Sequence, residues 1–195
     1  MQELTKTIII AIVGKSASGK DTLKQKLIEY LRGVYPVNKI ITSTTRPPRK
    51  NEIDGEDYHF YWTKRQFFDN WLLEWTKFKN WYYGTTHDAI WKYYVNIGVF
   101  NLKSLRQLYA SVGKECIIIL IYIEEKWTTR FVRMFHRDGG FRFEHIRRLF
   151  RDWRDFRFFY PNNDSYIYLK NIENLDKQVA ICLDRICGKV NKYMV

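Results

Sequence analysis

The apolar run Thr7 to Val13 stops at Gly14, and beyond Lys15-Ser16-Ala17-Ser18-Gly19 apolar residues return at Leu23, Leu27, Ile28 and Leu31. The first segment is rich in β-branched residues and ends at a turn, as a buried parallel strand does. The second predicts a helix over Lys20 to Leu31. Strand, glycine-bearing loop and helix in that order point to an α/β architecture. The loop carries its own chemistry, because Gly14, Gly19 and Lys20 stand in the spacing glycine, four residues, glycine, lysine that defines a P-loop. The glycines let the backbone curl so that the N–H groups of Ser16, Ala17 and Ser18 and the helix N-terminus face a phosphate chain. Lys20 neutralises the outer phosphates. A plain Gly/Ser turn is the bland alternative, and the strand before and helix after argue against it. Asp21 stands where a Ser or Thr usually offers its hydroxyl to magnesium. Asp21 or the following Thr22 could reach the ion through water, or the phosphates could hold most of it, since magnesium keeps several of its waters.

Strand and helix signals continue to alternate. A strand is expected at Lys39 to Thr42, then a polar stretch with Pro47 and Pro48 and short aromatic-rich pieces to about Ile97. A helix at Leu102 to Val112, a strand at Cys116 to Ile123 and an arginine-rich helical region from Glu125 to Phe159 follow. A strand at Tyr166 to Leu169 and a helix from about Leu175 to Val190 close the chain. This alternation predicts a parallel sheet with helices on both faces. At 195 residues one domain over 1–195 is expected. Its core would take about 1–42 and 99–195, with a lid at about 125–159, and an insertion would take about 43–98.

Apolar residues at 46% and aromatics at 17% exclude a disordered chain. The balance of 33 Lys and Arg against 21 Asp and Glu gives +12, which favours anionic partners. No recognised nucleic-acid module accompanies that charge, and no apolar run reaches the roughly 18 residues of a membrane span, so neither nucleic acid nor membrane is the expected partner. Cys116, Cys182 and Cys187 form no disulfide framework and no paired zinc spacing, which fits a reduced, cytoplasmic setting. His59, His87, His136 and His145 lack metal-ligand spacing.

Four further groups carry possible chemistry. Arg46 and Arg49, beside Pro47 and Pro48, can present rigid forks to a phosphate monoester; a solvated basic loop is the alternative. Glu74 interrupts the run Trp71-Leu72-Leu73-Glu74-Trp75, where a carboxylate is costly unless paired donors reach it. A purine edge with a ring N–H and an amino group supplies two such donors; the alternative is an alternating strand with Glu74 on its wet face. The lid region holds nine arginines from Arg130 to Arg157, some of which could close over a transferring phosphate. Arg151, Arg154 and Arg157 read better as a solvated helix surface. Asn171 suits either a nucleotide base or a turn.

Several pieces together resemble the guanylate kinase family. These are the P-loop, Thr42-Ser43-Thr44-Thr45-Arg46-Pro47-Pro48-Arg49, Asp54-Gly55-Glu56-Asp57-Tyr58-His59-Phe60, Leu72-Leu73-Glu74-Trp75, and Tyr82-Tyr83-Gly84-Thr85. They lie in order along roughly Ile8 to Leu175. The resemblance implies a P-loop kinase with a monophosphate-binding insertion and a mobile lid, converting ATP and GMP or dGMP to the diphosphates with Mg2+. It implies that Thr42, Arg46, Arg49, Tyr58 and Tyr83 hold the acceptor phosphate segment, that Glu74 and Thr85 read guanine, and that Asn171 lies near the donor adenine. Arg133, Arg137 and Arg148 match its lid arginines. Asn96 and Gly98 stand where the family usually has acids, so a kinase for another nucleoside monophosphate is the nearest alternative. A non-catalytic binding module on the same scaffold is the more distant one.

Overall fold

Alternation along the first strand divides the core in two. The computed structural model describes residues 4–49, 51–159, 166–171 and 174–195. Its elements in chain order are β1 (Ile8–Gly14), α1 (Lys20–Leu31), β2 (Val37–Lys39), β3 (Thr42–Thr44), β4 (Tyr58–Phe60), α2 (Lys64–Phe68), β5 (Leu72–Phe78) and β6 (Trp81–Thr86). The second half contributes β7 (Val95–Val99), α3 (Leu102–Val112), β8 (Ile117–Glu124), α4 (Trp127–Arg137), α5 (Phe143–Phe156), β9 (Tyr166–Lys170) and α6 (Leu175–Val190). Ile8, Ile10 and Ile12 pack with Leu23 and Leu27 of α1 and Val179, Cys182 and Ile186 of α6. Ile9, Ala11 and Val13 point the other way, against Leu105, Leu108 and Val112 of α3. A strand buried on both faces needs apolar residues at every position, which is why β1 reads as a continuous run.

Five strands in the order β2-β7-β1-β8-β9 form a wholly parallel sheet. A separate mixed sheet has the order β4-β3-β6-β5. The fold is therefore α/β, with a parallel sheet flanked by helices and a small second sheet beside it.

Two expectations need correction. The strand expected at Lys39 to Thr42 is two strands in different sheets, β2 and β3. Ile40 donates its N–H to the Ile97 carbonyl and buries its side chain, which ends the ladder on β7, and the chain then crosses to pair Thr42 and Thr44 with Tyr58 and Phe60. The helical region Glu125 to Phe159 is broken into α4 and α5 by Asp138-Gly139-Gly140. Gly139 and Gly140 have φ of 68° and 135°, conformations that continue no right-handed helix. The Asp138 carboxylate closes the break, accepting from the Arg137 guanidinium at 2.9 Å and meeting His145 Nε2 at 2.9 Å.

Candidate functional site

The loop between β1 and α1 has its shape forced on it. A side chain at Gly14 would meet the Ile123 carbonyl at 2.6 Å and Ser18 Oγ at 2.8 Å, so only glycine permits the close pass beside β8. Gly19, at φ 93°, turns the chain into α1, and Ala17 adopts φ 58°. Lys20 Nζ folds back onto the Lys15 carbonyl at 2.7 Å. Burial lowers the Lys20 ammonium to a pKa of about 8, while Asp21 and Asp152 oppose the shift. The Ser16 N–H and hydroxyl donate to the Asp152 carboxylate at 2.9 and 3.1 Å.

The loop forms one end of an open cavity of about 1090 Å³. Gly14, Ser16, Lys20 and Asp21 line that end, and Thr42, Arg49, Tyr58, Glu74 and Tyr83 of the small sheet and its loops line the other. Arg46 is turned to Glu52, which takes both oxygens to Nη2 at 2.8 Å and also accepts the Arg49 N–H at 2.8 Å. The Arg46 guanidinium lies 5.3 Å from the centre of the Tyr58 ring. A carboxylate thus gathers the two arginine arms, a part of the site that the sequence reading did not single out. Its signal was the spacing of Arg46, Arg49 and Glu52 at intervals of three.

Glu74 is not on a wet face. A register shift between Leu72 and Glu74 turns it inward, and it is 3% exposed. Thr85 donates its hydroxyl to Oε1 at 2.8 Å. Burial raises the Glu74 carboxyl above its ordinary pKa, with Ser104 and Thr85 opposing the shift as donors. Oε2 is nevertheless buried with no hydrogen bond of acceptable geometry, and Glu74 borders the cavity.

On β7, Asn96 is fully buried and bound up in the scaffold. It accepts from Asn38 at 2.7 Å and from the Trp91 N–H at 2.8 Å. At Gly98 a side chain would meet Phe100 at 2.9 Å and Ile40 at 3.0 Å, so apolar groups fill the space that an acid there would need. Among the described residues no three His, Cys, Asp or Glu side chains form a metal cluster. Asp21 is 84% exposed at the cavity rim, 3.7 Å from Lys24, whereas Thr22 is exposed and away from the cavity lining. One rim carboxylate fits an ion held chiefly by nucleotide phosphates and reached through water.

The lid arginines separate. Arg148 lines the cavity and pairs with Glu144 at 3.5 Å. Arg133 lies against the P-loop, donating to the Ala17 carbonyl and to Glu125 at 3.3 Å each. Arg137 is half exposed and turned to Asp138. Arg151, expected on a solvated surface, instead lies 4.3 Å over the Phe78 ring at the cavity, where the neighbouring Lys79 pairs with Glu144 of α5 at 3.0 Å. Arg130 and Asp152 bond to each other and to Ser16, a contact between distant parts of the chain that local spacing could not show. A second cavity of about 480 Å³, bordered by Lys15, Trp127, Trp153 and Asn171, adjoins the outer side of the loop. Asn171 has φ 50° and donates its N–H to the Glu124 carbonyl, and its neighbour Ile172 lies outside the described residues.

Comparison with known proteins gives this geometry a context. The guanylate kinase family profile matches residues 5–99. The chain is 35% identical over 92 residues to a guanylate kinase of Wolinella succinogenes, covering 45% of this chain and 41% of that one. It is 40% identical over 89 residues to a guanylate kinase of Onion yellows phytoplasma, covering 44% and 41%. The chain thus spans about two fifths of the length of the curated relatives it matches. The fold likeness is longer: guanylate kinase from Anaplasma phagocytophilum superposes with a TM-score of 0.64 at 16% identity, over 99% of this chain and 92% of that one.

Proposed function

Because the chain belongs to the guanylate kinase family of P-loop nucleoside monophosphate kinases through residues 5–99, we propose that it transfers the terminal phosphoryl group of ATP directly to GMP or dGMP. The observation that carries the acceptor reading is Glu74, buried at the cavity with one oxygen on Thr85 and the other without a well-formed hydrogen bond. The guanine edge offers a ring N–H and an amino group to such a carboxylate, and the Thr85 hydroxyl is in reach of the same edge. Arg46, Arg49, Tyr58 and Tyr83, with Thr42 on the same cavity wall, take the acceptor phosphate. The P-loop takes the donor phosphates and Asn171 the donor adenine.

Transfer of this kind needs positioning and charge rather than a protein nucleophile. Lys20 holds the donor phosphates, Arg148 and Arg133 approach the transferring group from the lid, and Arg137 joins them if α4 swings inward. Magnesium carried by ATP supplies charge neutralisation between the phosphates, and Asp21 would hold it through water. The free thiols of Cys116, Cys182 and Cys187 fit a cytoplasmic setting. No helix among the described residues is long and apolar enough to cross a membrane.

The packed apolar wall at Gly98 favours a second reading, in which the acceptor is another nucleoside monophosphate. A coupled assay of ADP release with GMP, dGMP, AMP, UMP and TMP separates the two. Turnover highest with GMP or dGMP supports the first reading, and preference for any other monophosphate over both supports the second.

A further inference from the structure

The phosphate loop is already in contact with an anion, and that anion is part of the protein. Asp152 of α5 accepts the Ser16 N–H through Oδ2 at 2.9 Å and the Ser16 hydroxyl through Oδ1 at 3.1 Å. Arg130 of α4 donates to the same Oδ2 at 2.6 Å and to the Ser16 carbonyl at 3.3 Å. The side chains of Arg130 and Asp152 are 4% and 12% exposed, so water screens the pair little. Arg130 Nε is buried with no hydrogen-bond partner, which leaves the guanidinium a donor in hand.

Backbone amide, hydroxyl and guanidinium are the donors that phosphate oxygens take. The loop does not need Asp152 for its shape, which Gly14 against Ile123 and the left-handed Gly19 already impose. A carboxylate and a phosphate on the same donors would repel each other in a poorly screened site. We infer that Arg130 is a ligand of the donor phosphates, and that Asp152 is its exchangeable counter-anion, filling the phosphate seat until ATP replaces it. This rests on the donor reading of the P-loop. Arg130 then serves both arrangements, holding the carboxylate in one and the phosphate in the other. Because Asp152 rides on α5, donor binding and the lid-to-loop contact exclude each other.

A purely bracing role for the pair makes the opposite prediction, since a brace lost from the loop would only weaken binding. Titration calorimetry of the full chain with ATP, and separately with inorganic tripolyphosphate, distinguishes them. D152N should bind both about tenfold tighter, because the competent form no longer competes with the internal anion. R130M should bind both about tenfold weaker, as loss of a charge-assisted contact implies, and D152N/R130M should regain none of the D152N gain. The wild type gives an independent readout by hydrogen exchange: tripolyphosphate should slow exchange over residues 14–22 and speed it over 149–156. Unchanged or weaker affinity in D152N, or slower exchange in 149–156, overturns the inference. Wild-type protein that binds neither ATP nor tripolyphosphate overturns the donor reading beneath it.

Discussion

Glu74 concentrates the argument about substrate choice. Its burial raises the pKa, so the folded state binds the proton more tightly than the unfolded state. That burial contributes stability below the unfolded pKa and loses it as pH rises through the folded value. Glu74→Gln should therefore raise Tm at pH 7, as followed by thermal unfolding. The same change swaps a pure acceptor for a donor–acceptor amide. It should erase most of a GMP-over-AMP preference expected on the order of 10²–10³ in kcat/KM, since the wrong edge strands a buried acceptor. Arg46→Ala should weaken all monophosphates alike. A ranking of monophosphates unchanged in Glu74→Gln would show that another group reads the base. Lys20 makes a separate prediction, because its ammonium is lowered to about 8 by burial and bound phosphates favour the charged form. ATP binding above pH 8 should take up close to one proton, measurable as a buffer-dependent enthalpy, and Kd should rise by about tenfold per pH unit there. On the stability side, the unfolded chain holds the extra proton between about 8 and 10.5, so Lys20 makes stability rise with pH across that window.

On the proposed reading, the break between α4 and α5 decides which lid arginines act. Arg148 faces the cavity as the lid stands, so Arg148→Ala should lower kcat by about 10²–10³ with a much smaller change in monophosphate KM, the signature of a group used mainly in the transition state. Arg137 is held by Asp138 and needs movement at Gly139 and Gly140 first, so its removal should act less strongly than that of Arg148. Equal effects on kcat and binding would reassign both to substrate capture. Asp138 also sets a pH limit on the lid. Hydrogen bonding from Arg137 first, together with His145, holds its carboxyl well below the usual range. Its contribution is present above the ordinary carboxylate pKa near 3.9 and is lost as pH falls toward the folded value. Asp138→Asn should loosen the lid at neutral pH, seen as faster hydrogen exchange over 138–148, and should flatten the acid limb of stability.

Much of the architecture was legible because it is written locally. The β1 run, Gly14 and Gly19, and the helical spacing of α1 each lie within one stretch of chain, and α3 and α6 follow the expected Leu102–Val112 and Leu175–Val190. Features set by distant contacts were not legible. The crossing at Ile40 depends on its burial against the α3 side of the core, the inward turn of Glu74 on a register shift in β5, and the Asp152 contact on residues 136 positions apart. The candidate site spans both sheets, so its chemistry depends on the P-loop at one end and the small sheet at the other acting on one cavity. Lys20 tests that dependence, since its ammonium is held at the loop against the Lys15 carbonyl and lies far in sequence from every acceptor group. Formation of GDP from GMP and saturating ATP, followed by 31P NMR in wild type and in Lys20→Ala of confirmed fold, is the decisive comparison. The account predicts GDP with the wild type and a rate at least about 10³-fold lower in the variant, as removal of preorganised charge at the phosphates implies. Near-wild-type turnover by Lys20→Ala, or no GDP from the wild type, would contradict it.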